Sequence, residues 1–91
     1  MLKFEWDKTK AASNLAKHGV SFEEAASVFG DALAITFEDP DHSIAEKRML
    51  TFGVSHENRL LAVIHTERGH NIRIISARKA TKYERGIYEQ G

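Results

Sequence analysis

The chain reads as a single α+β domain, residues 1–91, in the order β-α-α-β-β-β-β-α. The expected core is a small antiparallel sheet of about four to five strands, with two N-terminal helices and a C-terminal helix packed on one face. Three observations predict this. Helix start and stop signals bracket two apolar-striped stretches near the N-terminus. Four later stretches alternate apolar and polar residues or run apolar through their middle. A second capping box stands just after the last of them.

Lys3-Phe4-Glu5-Trp6 predicts a short first strand, with Trp6 anchoring it to the core. Asp7 is an N-cap for a helix through about His18, with Ala11, Ala12, Leu15 and Ala16 as its apolar stripe. Lys17-His18-Gly19 closes that helix, since glycine adopts φ > 0 without a Cβ clash. Ser21-Phe22-Glu23-Glu24 is a capping box: the serine hydroxyl accepts from the Glu24 amide, and the Glu24 side chain reaches back. That helix buries Ala25, Val28 and Phe29 and stops at Gly30. Strands are expected over Ala32–Glu38 (Leu33, Ile35 and Phe37 on one side) and Lys47–Ser55 (Leu50, Phe52 and Val54). Arg59–Glu67, apolar on both sides in its middle, is the central strand, and Asn71–Arg78 is the last. The short links His56-Glu57-Asn58 and Arg68-Gly69-His70 make the last three strands an antiparallel meander. Glu38–Glu46, acidic and holding the only proline, is an exposed loop. Thr81-Lys82-Tyr83-Glu84 opens the last helix, where Tyr83 and Ile87 are spaced to pack together.

Composition narrows the function. The chain lacks cysteine, which excludes disulfides, thiolate zinc sites and a thiol nucleophile. No apolar run approaches the roughly 20 residues of a membrane span, and no signal-peptide core follows the N-terminus, so a cytoplasmic protein without membrane contact is expected. Thirteen basic and 13 acidic side chains cancel overall, yet residues 1–46 carry 4 basic and 9 acidic groups while residues 47–91 carry 9 and 4. A basic second half suits a nucleic-acid face, or simply neutralises the first half in the fold. His65 and His70 have the spacing of some zinc pairs, but a turn separates them and no further pair completes a tetrahedron. Asp39, Asp41 and Glu46 lack the glycine and spacing of a calcium loop. No metal and no cofactor is therefore expected.

The remaining chemistry lies in the last strands and final helix: Arg59, His65, Arg68, Arg73, Arg78, Lys79, Lys82, Glu84 and Arg85. An odd separation places Arg73 and Arg78 on opposite faces of a regular strand. Cleavage of RNA by its own 2′-hydroxyl needs a base, an acid and cations around the phosphorus. His65 or Glu84 suits the base or the acid, and the forked guanidinium groups of Arg68 and Arg78 suit the cations. Lys79, Lys82 and Arg85 would bind the RNA backbone. The plainer alternative is a solvated hairpin whose charges keep its edges soluble.

Two stretches carry a resemblance. One is F-E-W-D-x-x-K-x-x-x-N-x-x-K-H-G-V-S-F-E-E-A, Phe4 to Ala25. The other is H-T-E-R-G-x-x-I-R-I-I-S-A-R-K-A-T-K-x-E-R-x-x-Y, His65 to Tyr88, and D-P-D-H-S lies between them. Together they resemble the BrnT family of toxins from bacterial type II toxin–antitoxin pairs, over nearly the whole chain. The resemblance implies a RelE-like fold and an endoribonuclease that stops translation and growth. It implies a BrnA-like antitoxin with a DNA-binding segment, through which the complex meets DNA only indirectly, and a toxin dimer bridged by antitoxins. Matched onto the family's polar pattern, Arg48, His65, Arg68, Arg78 and Glu84 are the positions carried over, with Arg48 joining the RNA-binding set. Gly86 departs from the family's pattern inside the last helix. Two other classes stay open: a non-catalytic module binding RNA or protein, and a DNA-binding domain. The latter fits poorly, because the helix over residues 21–29 holds Glu23 and Glu24 and no basic residue.

Overall fold

The computed structural model describes residues 2–39 and 47–91. Most of the acidic loop expected over Glu38–Glu46 lies outside them, as does D-P-D-H-S after its first residue. The elements are β1 (Lys3–Glu5), α1 (Lys8–His18), α2 (Phe22–Ser27) with a 3₁₀ turn Val28–Gly30, β2 (Ile35–Glu38), β3 (Met49–Val54), β4 (Leu60–Arg68), β5 (Asn71–Lys79) and α3 (Lys82–Gln90).

The sheet order is β1-β5-β4-β3-β2. β2 through β5 are antiparallel neighbours, as the hairpin links require. β1, however, pairs parallel with β5, matching Phe4 to Ile72, so the sheet is mixed and not purely antiparallel. The chain returns from the far side of the sheet before adding β5, and the pairing of Phe4 with Ile72 places its ring over the core, 5.4 Å from that of Phe29.

The helices also depart from expectation, because they cover both faces. Val20, Phe22, Ala25 and Val28 pack with Leu61, Val63, Ile74 and Ala77 in the main core under α1 and α2. Trp6 meets Phe22 edge-on at 5.9 Å, which anchors β1 as expected. Strand alternation sends the neighbours Phe52, Leu60 and Ala62 to the other face. They are equally buried but lie outside that cluster, and α3 covers them. β4 is hydrophobic on both sides because each side has its own helical layer.

Local signals act as their chemistry demands, with instructive exceptions. Asp7 caps α1, and Gly19 ends it at φ 68°. The buried side of α1 follows the alanine-leucine stripe only in part: Ala11 packs against the core, but Leu15 is exposed and Asn14 is the side chain that is buried. Ser21 accepts from the Glu24 amide, but the Glu24 carboxylate turns away to Ser55 and Arg59, so only half the box forms. Thr81 and Glu84 complete theirs. Tyr83 stays exposed and does not pack inward. Leu33, expected in a strand, lies in a turn made by the Asp31 carboxylate accepting from the Leu33 amide.

Gly53 is the tightest point of the core. A Cβ there would lie 2.5 Å from Val28 Cγ1, 3.1 Å from Ala34 Cβ and 3.3 Å from the Val28 carbonyl oxygen. Val28 is β-branched and fully buried, so it has no alternative rotamer to retreat to. Gly53→Ala is expected to cost about 2–3 kcal/mol by overpacking, read as a lowered urea midpoint with unchanged slope.

Candidate RNA-binding site

The four side chains expected to be catalytic do not converge. His65 lies on the main-core face and is 5% exposed. It stands edge-on to Phe29 at 4.8 Å, its Nε2 is 2.7 Å from Thr51 Oγ1, and Thr51 Oγ1 is 2.7 Å from Thr36 Oγ1. Its Nδ1 is buried and finds no hydrogen-bond partner among the described residues. Burial pushes this imidazole down to about 4, so it is neutral at pH 7. From beneath Phe29 it has no route to a phosphodiester on the surface, so the structure removes it from the expected quartet. Arg68 sits at the β4–β5 hairpin, paired across the ladder with Asn71. Arg78 sits opposite Ala62, roughly 20 Å away at about 3.3 Å per residue.

Arg78 and Glu84 do meet. The guanidinium donates to both carboxylate oxygens, at 2.7 and 2.9 Å, and also to the Lys79 carbonyl at 3.3 Å. Glu84 Oε1 also accepts from the Thr81 amide at 2.9 Å. The Arg78 fork beside it holds this carboxyl below its ordinary range, and the carboxylate in turn raises Arg78.

Of the residues expected to bind RNA, Lys79 and Arg85 come together. They line a cleft of about 270 Å³ with Asn58, Arg59, Leu60 and Ala80, where the β3–β4 turn meets the end of β5 and the start of α3. Lys82, exposed in the first turn of α3, lies on the same junction. Arg48 does not: it precedes Met49, which faces His65 across the ladder, so it belongs to the opposite half of the sheet. Arg59 is the residue the sequence reading left unassigned. Its position just before the central strand, facing the end of β5, was the available signal.

A register shift explains another misplacement. His65 pairs with Ile74 and Ile64 with Ser76, leaving Ile75 as an extra residue in β5. The bulge reverses strand parity, so Arg73 and Arg78, opposite Thr66 and Ala62, share one face after all. They still do not cooperate: Arg73 donates to Glu5 at 2.9 Å while Arg78 holds Glu84.

His65 makes acid stability a measurable consequence. Its folded pKa is depressed below 6.5, so the unfolded chain binds the proton first, and stability falls as pH drops from 6.5 toward 4. About 1.4 kcal/mol per pH unit gives an expected loss of roughly 2–3 kcal/mol across that window. Denaturant titrations of wild type and His65→Phe should show this slope in the former and not the latter.

Among the described residues no cluster of three His, Asp, Glu or Cys side chains could hold a metal, and no helix is long and apolar enough to cross a membrane. No curated protein sequence matches the chain. The family model described as "Ribonuclease toxin, BrnT, of type II toxin-antitoxin system" matches residues 6–84. The chain is also similar to the Brucella abortus ribonuclease toxin BrnT, known from a 1.1 Å crystal structure. The TM-score is 0.68 and the identity 27%, covering 90% of this chain and 100% of that one. With the profile spanning most of its length and the five-stranded α+β architecture shared, the chain belongs to the BrnT family of ribonuclease toxins of type II toxin–antitoxin systems.

Proposed function

We propose that this toxin cleaves RNA at the β5–α3 junction without a metal, using the RNA 2′-hydroxyl as nucleophile, and thereby arrests translation and growth in the cytoplasm. The observation that carries this is the cleft in which Arg59, Lys79 and Arg85 meet, with the Arg78 fork beside it and, among the described residues, no acidic side chain lining it. Arginine forks grip phosphate oxygens as they grip carboxylates, so a bound phosphate competes with Glu84 for Arg78. A carboxylate released from that fork rises toward its ordinary pKa and becomes a better base. Glu84 then takes the 2′-hydroxyl proton, the 2′-oxygen attacks phosphorus, and the 5′-oxygen leaves with a proton from a flanking ammonium, Lys79 or Lys82. A 2′,3′-cyclic phosphate remains on one product and a 5′-hydroxyl on the other. Arg48 and Arg68, at the far end of the sheet, would bind more distant parts of the RNA.

A BrnA-like antitoxin with a DNA-binding segment is the partner that family membership supports, and a dimer of toxins bridged by antitoxins within a RelE-like scheme fits the same reading. Masking of this basic end by the antitoxin would make association weaken as salt rises.

The test is end-mapping of RNA cut by purified toxin in EDTA, where cyclic or 3′-phosphate ends are expected. Ends bearing 3′-hydroxyls, or a need for magnesium, would overturn the mechanism. Arg78→Ala should slow cleavage on the order of 100-fold and relieve growth arrest. Its thermal melt should move only by the equivalent of about 0.5–1 kcal/mol, because the ion pair is partly open to water. Arg78→Lys keeps the charge without the fork and should recover little. Full activity in both variants would make Arg78 structural.

A further inference from the structure

The first family-like motif, K-x-x-x-N-x-x-K-H, is not absorbed by the cleavage site, and the structure gives it a different place. Lys10, Ser13, Asn14, Lys17 and His18 lie on one face of α1, at spacings of three and four. They line a groove of about 200 Å³ whose opposite wall is Ile75 and Ser76 of β5. Among the described residues no acidic side chain lines it, and α1 itself holds Lys8, Lys10, Lys17 and His18 with no acid at all. Dividing the chain into an acidic and a basic half concealed this, because the acids of the first half lie outside α1.

Two features make this groove more than a set of surface lysines. Asn14, at the centre of the stripe, is clamped to β5 by accepting from the Ala77 amide at 3.1 Å and donating to the Ala77 carbonyl at 2.8 Å. The helix face bearing the cations is therefore fixed over that strand. The bulge at Ile75 then shapes the facing wall, and bulges recur beside functional sites because they re-aim neighbouring side chains. Ser76 lies only three positions before Lys79, roughly 10 Å along β5. The groove and the cleavage cleft thus flank the same strand end.

We infer that the α1–β5 groove is a second phosphate-binding subsite, seating the sugar–phosphate backbone of the same single-stranded RNA one or more nucleotides away from the cut. The inference rests on the cleavage reading for the identity of the strand. Lys10 and Lys17 supply the charge, while Ser13 offers a hydroxyl to phosphate or ribose oxygens. Binding of this kind is electrostatic and tolerant of sequence.

The test uses full-length toxin, the double variant Lys10→Gln/Lys17→Gln and the charge-preserving Lys10→Arg/Lys17→Arg, each checked by thermal melting. The probe is a 2′-O-methyl 12-mer, which binds but cannot be cut. The glutamine pair should weaken binding about tenfold at 0.1 M salt and flatten the salt dependence by about 1.4, two contacts at roughly 0.7 each for a single strand. The arginine pair should bind as wild type does. Cleavage of a dinucleotide, too short to reach the groove, should stay within about twofold. Unchanged 12-mer affinity and slope would overturn the inference, as would an equal loss on the dinucleotide. Loss of antitoxin affinity with RNA binding intact would make the groove a protein interface instead. If wild type binds the 12-mer but cuts no RNA, the cleavage reading falls and the groove stands; if wild type does not bind it, both fall.

Discussion

Replacing Asn14 with alanine will lower stability by about 3–4 kcal/mol, although the residue sits in a helix and takes no part in the proposed cleavage chemistry. Among the described residues the outer edge of β5 beyond Arg73 has no strand partner, since β1 pairs only with Asn71, Ile72 and Arg73. Asn14 substitutes for one. Its carboxamide accepts from the Ala77 amide and donates to the Ala77 carbonyl, as a neighbouring strand would, and spends its second N–H on the Val20 carbonyl at 2.9 Å. Three of the four bonds an asparagine can make are used at a position 7% exposed. Alanine leaves a buried N–H and two carbonyls unsatisfied, each worth about 1–3 kcal/mol when stranded, with partial relief from entering water. For a domain of this size the melting temperature should fall by roughly 15–25 °C. Asn14→Asp separates the contributions. It keeps the acceptor for the Ala77 amide but aims a carboxylate at two carbonyls, so it should be at least as damaging at pH 7 and recover in part at pH 4. A loss below about 1 kcal/mol for Asn14→Ala would mean that water already satisfies this edge.

Asn14 also shows where a sequence stops informing. Asparagine in mid-helix is unfavourable unless its side chain has a backbone partner, so its presence between Ser13 and Leu15 was a signal, but one that names no partner. What could be read was local: the Asp7 cap, the left-handed Gly19, the Thr81–Glu84 box and the β3-β4-β5 meander each depend on a few neighbouring residues. What could not was set at long range. A strand of three residues has no alternation to reveal whether β1 runs parallel, and nothing near Ile75 announces a bulge, so parity counting put Arg73 and Arg78 on opposite faces. His65 was misjudged for a different reason. Its even separation from Leu61 and Val63 already aligned it with the core face, and its ability to move protons drew attention away from that alignment. The candidate site divides the same way: Lys79, Lys82, Glu84 and Arg85 are close in sequence and share the β5–α3 junction, whereas Arg48 and Arg68 depended on a convergence that the sheet does not make.

The other large effect concerns Arg59, at the root of the cleft but tied to the far layer of the fold. Its Nε donates to Glu24 Oε2 at 2.9 Å, its Nη2 to Glu24 Oε1, and Nη2 also to the Gly19 carbonyl at 3.0 Å. Ser55 adds a 2.6 Å bond to Glu24 Oε2. One guanidinium thus joins the β3–β4 turn to α2 and to the end of α1, and Glu24 is only 5% exposed. Arg59→Ala leaves that carboxylate buried with Ser55 alone, an arrangement expected to cost about 2–4 kcal/mol at pH 7, the lower part reflecting the partly open guanidinium. The pH dependence identifies the cause. In wild type the Arg59 hydrogen bonds hold the Glu24 carboxyl below its ordinary value of 4.5. Its contribution is therefore fully present above 4.5 and is lost as pH falls through the depressed folded value. In Arg59→Ala the arginine's hydrogen bonds and charge are gone, burial is opposed only by Ser55 and the weaker influence of His56, and the same carboxyl rises, so protonation relieves the variant as pH falls. The two stability curves should converge between pH 7 and pH 4. A gap that stays constant over that range would assign the loss to the arginine's packing and its bond to Gly19, and Arg59→Met, which retains the aliphatic stem, would then recover most of it.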